Sequence, residues 1–187
     1  MIKKKVPHVI FILIFSLFLF EAQANEANWK IAKEGNKIIL IRHALAPGGG
    51  DPMGFEINDC KTQRNLNQVG ITQSKRIGKL FKENQILIDQ VLSSQWCRCK
   101  DTAKYAFKKF KEFSALNSTF QSPYDKNESK QLEEIKNFVK NWDGKGKNLI
   151  LITHYSIITA ITNTATGSGE IVLTDKNFNV LATISTN

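Results

Sequence analysis

The sequence predicts an α/β fold, a three-layer sandwich with a mostly parallel central sheet. Two short runs, Lys37–Ile41 and Asn148–Ile152, are nearly continuous in Ile and Leu, as strands buried on both faces are. Strand-like runs alternate with stretches of helical period along the chain, the pattern of a parallel sheet with crossover helices. Each of the two apolar runs leads into a histidine, His43 or His154, and open α/β sheets bind their ligands at the carboxyl ends of strands.

The first 24 residues read as an export signal rather than as part of the fold. Lys3-Lys4-Lys5 starts the chain, Val9 to Phe20 is apolar except for Ser16, and Ala22-Gln23-Ala24 offers a small-x-small cleavage site. The apolar stretch is shorter than the ~20 residues of a membrane-spanning helix. An uncleaved anchor is the alternative, and the lysines place the N-terminus inside in either case, so the remainder is exported. Export points to a periplasm and to no stable membrane insertion once the signal is removed. The rest, residues 25–187, has the size of one domain.

The first strand, Lys37 to Ile41, is followed by a broken Gly/Pro-rich loop, Ala46-Pro47-Gly48-Gly49-Gly50-Asp51-Pro52. No Gly-Lys-Ser/Thr follows these glycines, so a nucleotide-binding P-loop is not supported. Long loops in compact domains are functional more often than not, and the segment Ala46 to Thr62 is expected to set specificity. A helix starts at the N-cap residue Asn67 and turns Val69, Ile77, Leu80 and Phe81 inward. A second strand spans Ile88 to Leu92. The next helix runs from near Trp96 to about Lys109, burying Ala103, Ala106, Phe107 and Phe110. A third strand is expected at Glu112 to Leu116, and Asn117 to Lys126 reads as loop. Glu128 to Trp142 then forms a helix with Leu132, Ile135, Phe138, Val139 and Trp142 on one face. Gly144-Lys145-Gly146 ends it before the fourth strand, a short helix covers Ser156 to Asn163, and Glu170–Thr174 with Val180–Ser185 closes the chain as a hairpin.

The net charge of +9 favours anionic partners. Part of the excess lies in Lys100, Lys104, Lys108, Lys109 and Lys111, which read as a solvated helix face, and no nucleic-acid motif accompanies them. The anionic partners such a charge favours are phosphorylated metabolites and lipopolysaccharide or another envelope phosphate, and nucleic acid lacks a supporting motif. Three cysteines in an exported chain invite one disulfide and leave one thiol; Cys60 has Cys97 and Cys99 as alternative partners. Cys97-Arg98-Cys99 lacks the second ligand pair of a zinc site, and two histidines without positioned carboxylates make a weak metal site.

The strand ends deliver two imidazoles and two guanidiniums towards one edge of the sheet. Arg42 and Arg98 have the fork geometry that suits phosphate oxygens. Cations beside an imidazole disfavour its protonation and leave a nitrogen lone pair free for attack.

Four segments carry a resemblance to the histidine phosphatase superfamily, the phosphoglycerate mutase-like proteins. Ile41-Arg42-His43-Ala44 resembles that family's Arg-His-Gly motif. Leu66-Asn67-Gln68-Val69-Gly70-Ile71-Thr72-Gln73 is similar to Leu-Thr-x-x-Gly-x-x-Gln. Ser93-Ser94-Gln95-Trp96-Cys97-Arg98-Cys99-Lys100-Asp101-Thr102-Ala103 is similar to Ser-Ser-x-x-x-Arg-x-x-x-Thr-Ala, and Ile152-Thr153-His154 to Val-Thr-His. Together, in order, they cover Ile38 to Ile161. The resemblance implies a small exported branch without a cap domain, with residues 25–187 as a single histidine phosphatase domain. His43 would be the nucleophile that forms a phosphohistidine, and Arg42, Arg98 and His154 would hold the transferred phosphoryl oxygens. Arg64 matches an arginine of the phosphohistidine phosphatases and would bind substrate. No cofactor and no metal are implied.

Two features depart from the family pattern. Ala44 replaces the motif's glycine. Tyr155 and Asn117-Ser118 stand where other branches carry the carboxylic acid that protonates the leaving group, so Asp51, Glu56, Asp59, Asp125 and Glu128 are the substitutes to consider. Weak protonation of the leaving group implies a preference for phosphoramidates, phosphoanhydrides or aryl phosphates. The alternatives to a general phosphatase are one specific for lipopolysaccharide core heptose phosphate, a non-catalytic phosphate-binding module on the same scaffold, and an envelope-binding protein that docks its lysine-rich helix.

Overall fold

The computed structural model describes residues 26–186, so the expected signal segment, residues 1–24, lies outside the described residues. A six-stranded sheet runs in the order β3-β2-β4-β1-β5-β6. Its strands are β1 (Ile38–Arg42), β2 (Ile88–Ser93), β3 (Lys111–Glu112), β4 (Asn148–Thr153), β5 (Ile171–Thr174) and β6 (Val180–Ile184). β1 to β4 are parallel, while β5 and β6 add antiparallel beside β1, with β6 at the edge. The expected mostly parallel sheet and its closing hairpin are both present.

Pleat alternation divides the core between the two faces of the sheet. Ile39, Ile41, Ile150 and Ile152 pack with Ile77, Phe81 and Ala103 beneath α2 (Gln68–Glu83) and α3 (Cys97–Phe107). Ile38, Leu40, Leu149 and Leu151 pack with Ile135, Val139, Ile157 and Ile158 beneath α4 (Glu128–Asn141) and α5 (Tyr155–Thr162). Strands β1 and β4 are thus buried on both faces, which is why their sequences lack polar alternation. No described helix is long and apolar enough to cross a membrane.

Several elements differ from expectation. Residues 26–33 are helical, an element α1 that the sequence pattern did not announce. It lays Trp29 edge-on to Phe81, with ring centroids 5.3 Å apart. Val69 is 60% exposed, and the inward stripe begins with Gly70 and Gln73. α3 ends at Phe107, where Lys108 takes a positive φ of 66°. The third strand is only two residues long; Ser114–Leu116 leaves it as a 3₁₀ turn that buries Ala115 and Leu116. Trp142 caps α4 instead of continuing it.

Candidate active site

The register of the central strands assembles the site. Arg42 lies opposite Thr153 across the β1–β4 ladder. The His43 amide donates to the Thr153 carbonyl at 3.0 Å, and the Ser94 amide to that of Ile152 at 2.9 Å. The residues just past β1, β2 and β4 therefore sit level with one another. The His43 and His154 rings meet at a centroid distance of 5.4 Å. Beside them a cavity of about 130 Å³ is lined by Arg42, Arg64, Arg98, His154, Asp51 and Tyr155, together with Gly48–Gly50 and Phe120. Four of the five residues expected from sequence thus share one cavity. The fifth, His43, is buried with its ring against that of His154.

His43 is held as a neutral base. Its Nδ1 lies 2.8 Å from the Ala44 carbonyl oxygen, which only accepts, so Nδ1 carries the proton and Nε2 keeps a lone pair. Burial, followed by the charge of Arg98, holds its pKa well below the ordinary imidazole value; the Ala44 bond opposes this, and the charges of Arg64 and Arg42 add smaller lowering effects. The surrounding loop is fixed by the residues of the quoted motifs. The Ala44 amide donates to Thr102 Oγ1 at 3.0 Å, and that hydroxyl donates to the Arg98 carbonyl at 2.7 Å. The Leu45 amide donates to Gln73 Oε1 at 3.0 Å. Gly70 is required at the start of α2, because a Cβ there would lie 2.1 Å from the Leu45 carbonyl oxygen. Asn67 caps that helix through the Gly70 amide at 2.8 Å. Ala44 is not among the described residues with positive φ, so its methyl is accommodated on ordinary backbone.

The three arginines are engaged differently. Arg42 Nη1 donates to the Thr166 carbonyl at 2.6 Å, and its guanidinium lies 5.6 Å from the Tyr155 ring centroid. Arg98 donates from Nη1 and Nη2 to the two Asp51 oxygens at 2.8 and 3.0 Å. Arg64 donates through Nε to the Gly50 carbonyl at 2.7 Å and through Nη1 to that of Ala46. Arg64 therefore lines the cavity and fastens its glycine loop at the same time. Arg42 Nε and Arg98 Nε are buried without an acceptor. Two orphaned guanidinium donors, on residues that line the cavity, are costly unless acceptors such as an anion's oxygens meet them.

Of the possible acids, only Asp51 lines the cavity. Burial raises its pKa, but the bonds and charge of Arg98, the Arg64 amide and Trp96 outweigh this and lower it. A carboxylate so held is a poor proton donor. Glu128 accepts from Thr119 Oγ1 at 2.9 Å and Asp59 from the Lys61 amide at 2.9 Å, while Glu56 and Asp125 are exposed.

Sequence reasoning missed the polar chain behind His154. The Gln95 amide donates to Asn117 Oδ1 at 2.9 Å, which identifies that atom as the oxygen. The Ser94 hydroxyl donates to the same atom at 3.1 Å. With its one proton committed there, Ser94 Oγ accepts from His154 Nε2 at 2.9 Å. His154 is therefore protonated on Nε2 when neutral. Burial first, then the charges of Arg98 and His43, hold its pKa well below the usual value. Ser94 belongs to a recognised segment and Asn117 occupies a position where an acid was sought, so both were visible without an assigned role.

Cys60 bonds Cys97, with Cα atoms 5.6 Å apart, and Cys99 is left as a buried thiol. Burial pushes the Cys99 pKa up to about 12, too high for a reactive thiolate. Among the described residues, no three His, Cys, Asp or Glu side chains are grouped to hold a metal ion.

No family profile and no curated protein sequence matches the chain. Solved structures do. The protein histidine phosphatase SixA complexed with tungstate is similar with a TM-score of 0.58 and 13% identity, over 80% of this chain and 97% of that one. A phosphoglycerate mutase from Thermus thermophilus is similar at 0.56 and 15%, over 80% and 98%. A phosphoserine phosphatase variant from Entamoeba histolytica, bound to phosphoserine, is similar at 0.54 and 16%, over 80% and 97%. These likenesses establish the fold, a phosphoglycerate mutase-like α/β sandwich.

Proposed function

We propose that this chain is a phosphatase of the histidine phosphatase superfamily, hydrolysing a phosphomonoester or related phosphate through a covalent phosphohistidine on His43. The observation that carries the reading is the neutral His43, its Nδ1 proton committed to the Ala44 carbonyl, beside His154 and three arginines. Likeness to a structure holding tungstate, a tetrahedral oxyanion like phosphate, supports it.

In the first step His43 Nε2 attacks phosphorus, a new P–N bond forms, and the P–O bond to the leaving group breaks. Arg42 and Arg98 take the equatorial oxygens with the donors that now lack acceptors. Water then attacks the phosphohistidine, releasing phosphate and restoring neutral His43. Guanidiniums provide the charge stabilisation, so the reading calls for no metal and no cofactor. With Asp51 committed to Arg98, no free carboxylic acid among the described residues lines the cavity to protonate a leaving group. Phosphate on a leaving group that departs without that help, an aryl phosphate, phosphoanhydride or phosphoramidate, is the preferred chemistry.

We read residues 1–24 as a removed signal and residues 25–187 as a single domain working in a periplasm. The Cys60–Cys97 bond supports an oxidising compartment. An exported basic protein meets the phosphates of the envelope, and lipopolysaccharide core heptose phosphate belongs in the first substrate screen.

The test is phosphate release from p-nitrophenyl phosphate and a series of aryl and alkyl phosphates, with chelator present, beside His43→Ala. Turnover that vanishes in the variant and falls steeply as the leaving-group pKa rises is expected. Turnover surviving in His43→Ala would falsify the covalent reading. Tungstate binding without turnover in the wild type would favour the binding module.

A further inference from the structure

A guanidinium meets an oxyanion either with its end, the two Nη atoms, or with the edge that carries Nε. In Arg98 the end is already taken. Asp51 accepts from Nη1 and Nη2, and Nη1 also reaches the Arg64 carbonyl at 3.3 Å. What remains is the edge that carries Nε, which is buried and without an acceptor, together with the second N–H of Nη2.

Asp51 is itself held from other sides. Oδ1 accepts from the Arg64 amide at 3.0 Å and Oδ2 from Trp96 Nε1 at 2.9 Å. Its backbone amide donates to Gln121 Oε1 at 2.7 Å. The three preceding glycines allow this approach: Gly48 and Gly50 have φ of 93° and 68°, and a Cβ on Gly50 would lie 2.8 Å from Gln121 Oε1. The Asp51 and Arg98 side chains are 2% and 3% exposed. A carboxylate with two donors independent of Arg98 is built into the wall, and it would keep its place when a phosphate arrives.

We propose that Asp51 is a positioning residue, which clamps the end of the Arg98 guanidinium so that Nε is the donor meeting the transferred phosphoryl group. The inference rests on the phosphatase reading above. The charges fit as well: Arg42, Arg64 and Arg98 with Asp51 leave a net charge equal and opposite to that of a phosphate dianion.

The experiment compares kcat, KM and Tm of the wild type, Asp51→Ala and Asp51→Asn on p-nitrophenyl phosphate, with and without added formate. Misplacing one oxygen ligand is expected to lower kcat roughly 10²-fold, while KM does not rise because the cavity becomes more cationic. Formate, occupying the space left in Asp51→Ala, restores part of kcat. The near-isosteric Asn variant provides the same comparison if the Ala variant does not fold. Variant kcat equal to or above wild type, with formate inhibiting, means that Asp51 is a plug in the phosphate's place and overturns the proposal. So does an activity loss that only follows the folded fraction. An inactive wild type overturns the phosphatase reading and this inference together, whereas an active wild type with unaffected Asp51 variants overturns this inference alone.

Discussion

His43 and His154 meet ring to ring, 5.4 Å apart between centroids, because they follow two adjacent parallel strands whose last residues, Arg42 and Thr153, are in register. The fold inserts β4 between β1 and β2, so each imidazole arrives with a different neighbour. His43 comes with the Ala44 carbonyl and His154 with Ser94 from the end of β2. Two rings of the same chemistry thereby carry their protons on different nitrogens.

Ser94→Ala removes the acceptor that fixes the His154 ring. A buried donor left unpaired costs about 1–3 kcal/mol, so kcat is expected to fall roughly tenfold or more. Ser94→Thr keeps the hydroxyl and should retain more of the rate. Steady-state kinetics of both variants across pH check this, and equal rates for Ala and Thr would deny the hydroxyl a role.

Acidification destabilises the fold through these same histidines. Burial first, and then Arg98, depress both folded pKa values well below 6.5. Between 6.5 and the depressed values, the unfolded chain takes up protons that the folded one refuses, so stability is lost as pH falls. Above 6.5 both states are neutral and the pair contributes no slope. The expected loss below about pH 6.5 approaches 1.4 kcal/mol per pH unit per histidine. Urea unfolding at pH 8, 7, 6 and 5 measures it; a curve flat from 7 to 5 would contradict the burial of neutral imidazoles.

The Cys60–Cys97 bond anchors the glycine-rich loop to the residue preceding Arg98. Removing such a cross-link typically costs about 2–4 kcal/mol. Cys60→Ser should lose that much stability and become insensitive to reductant, while the reduced wild type falls to the level of the variant. Denaturant midpoints with and without dithiothreitol provide the measurement. Equal midpoints for oxidised and reduced wild type would mean that the loop is held without the bond.

Much of the scaffold was legible before folding because its determinants are local. Ile38–Ile41 and Leu149–Ile152 are apolar on both pleat faces, which only a doubly covered strand tolerates. Asn67 was recognisable as a helix cap because capping needs no partner outside its own first turn. Local pattern misled at the edges: Val69 has the right spacing for the core, yet in the first turn of α2 it is Gly70, against the Leu45 backbone, that is buried and Val69 that is exposed. The helix at 26–33 was overlooked because its inward residues, Trp29 and Ala32, are too few to set a period.

By itself the sequence determined the parallel sheet, the strand ends that bear Arg42, His43 and His154, and the segments that resemble a phosphatase. These follow from periodicity and from residues close together in the chain. Only the tertiary structure decided that Cys60 pairs with Cys97 and not Cys99, and that Asp51 is an acceptor for Arg98 and not an acid. It also placed the His154 proton on Nε2. The disulfide depends on which thiols a loop brings together, and the roles of Asp51 and His154 on which donor lies within about 3 Å of which acceptor; both are set by packing between segments far apart in sequence.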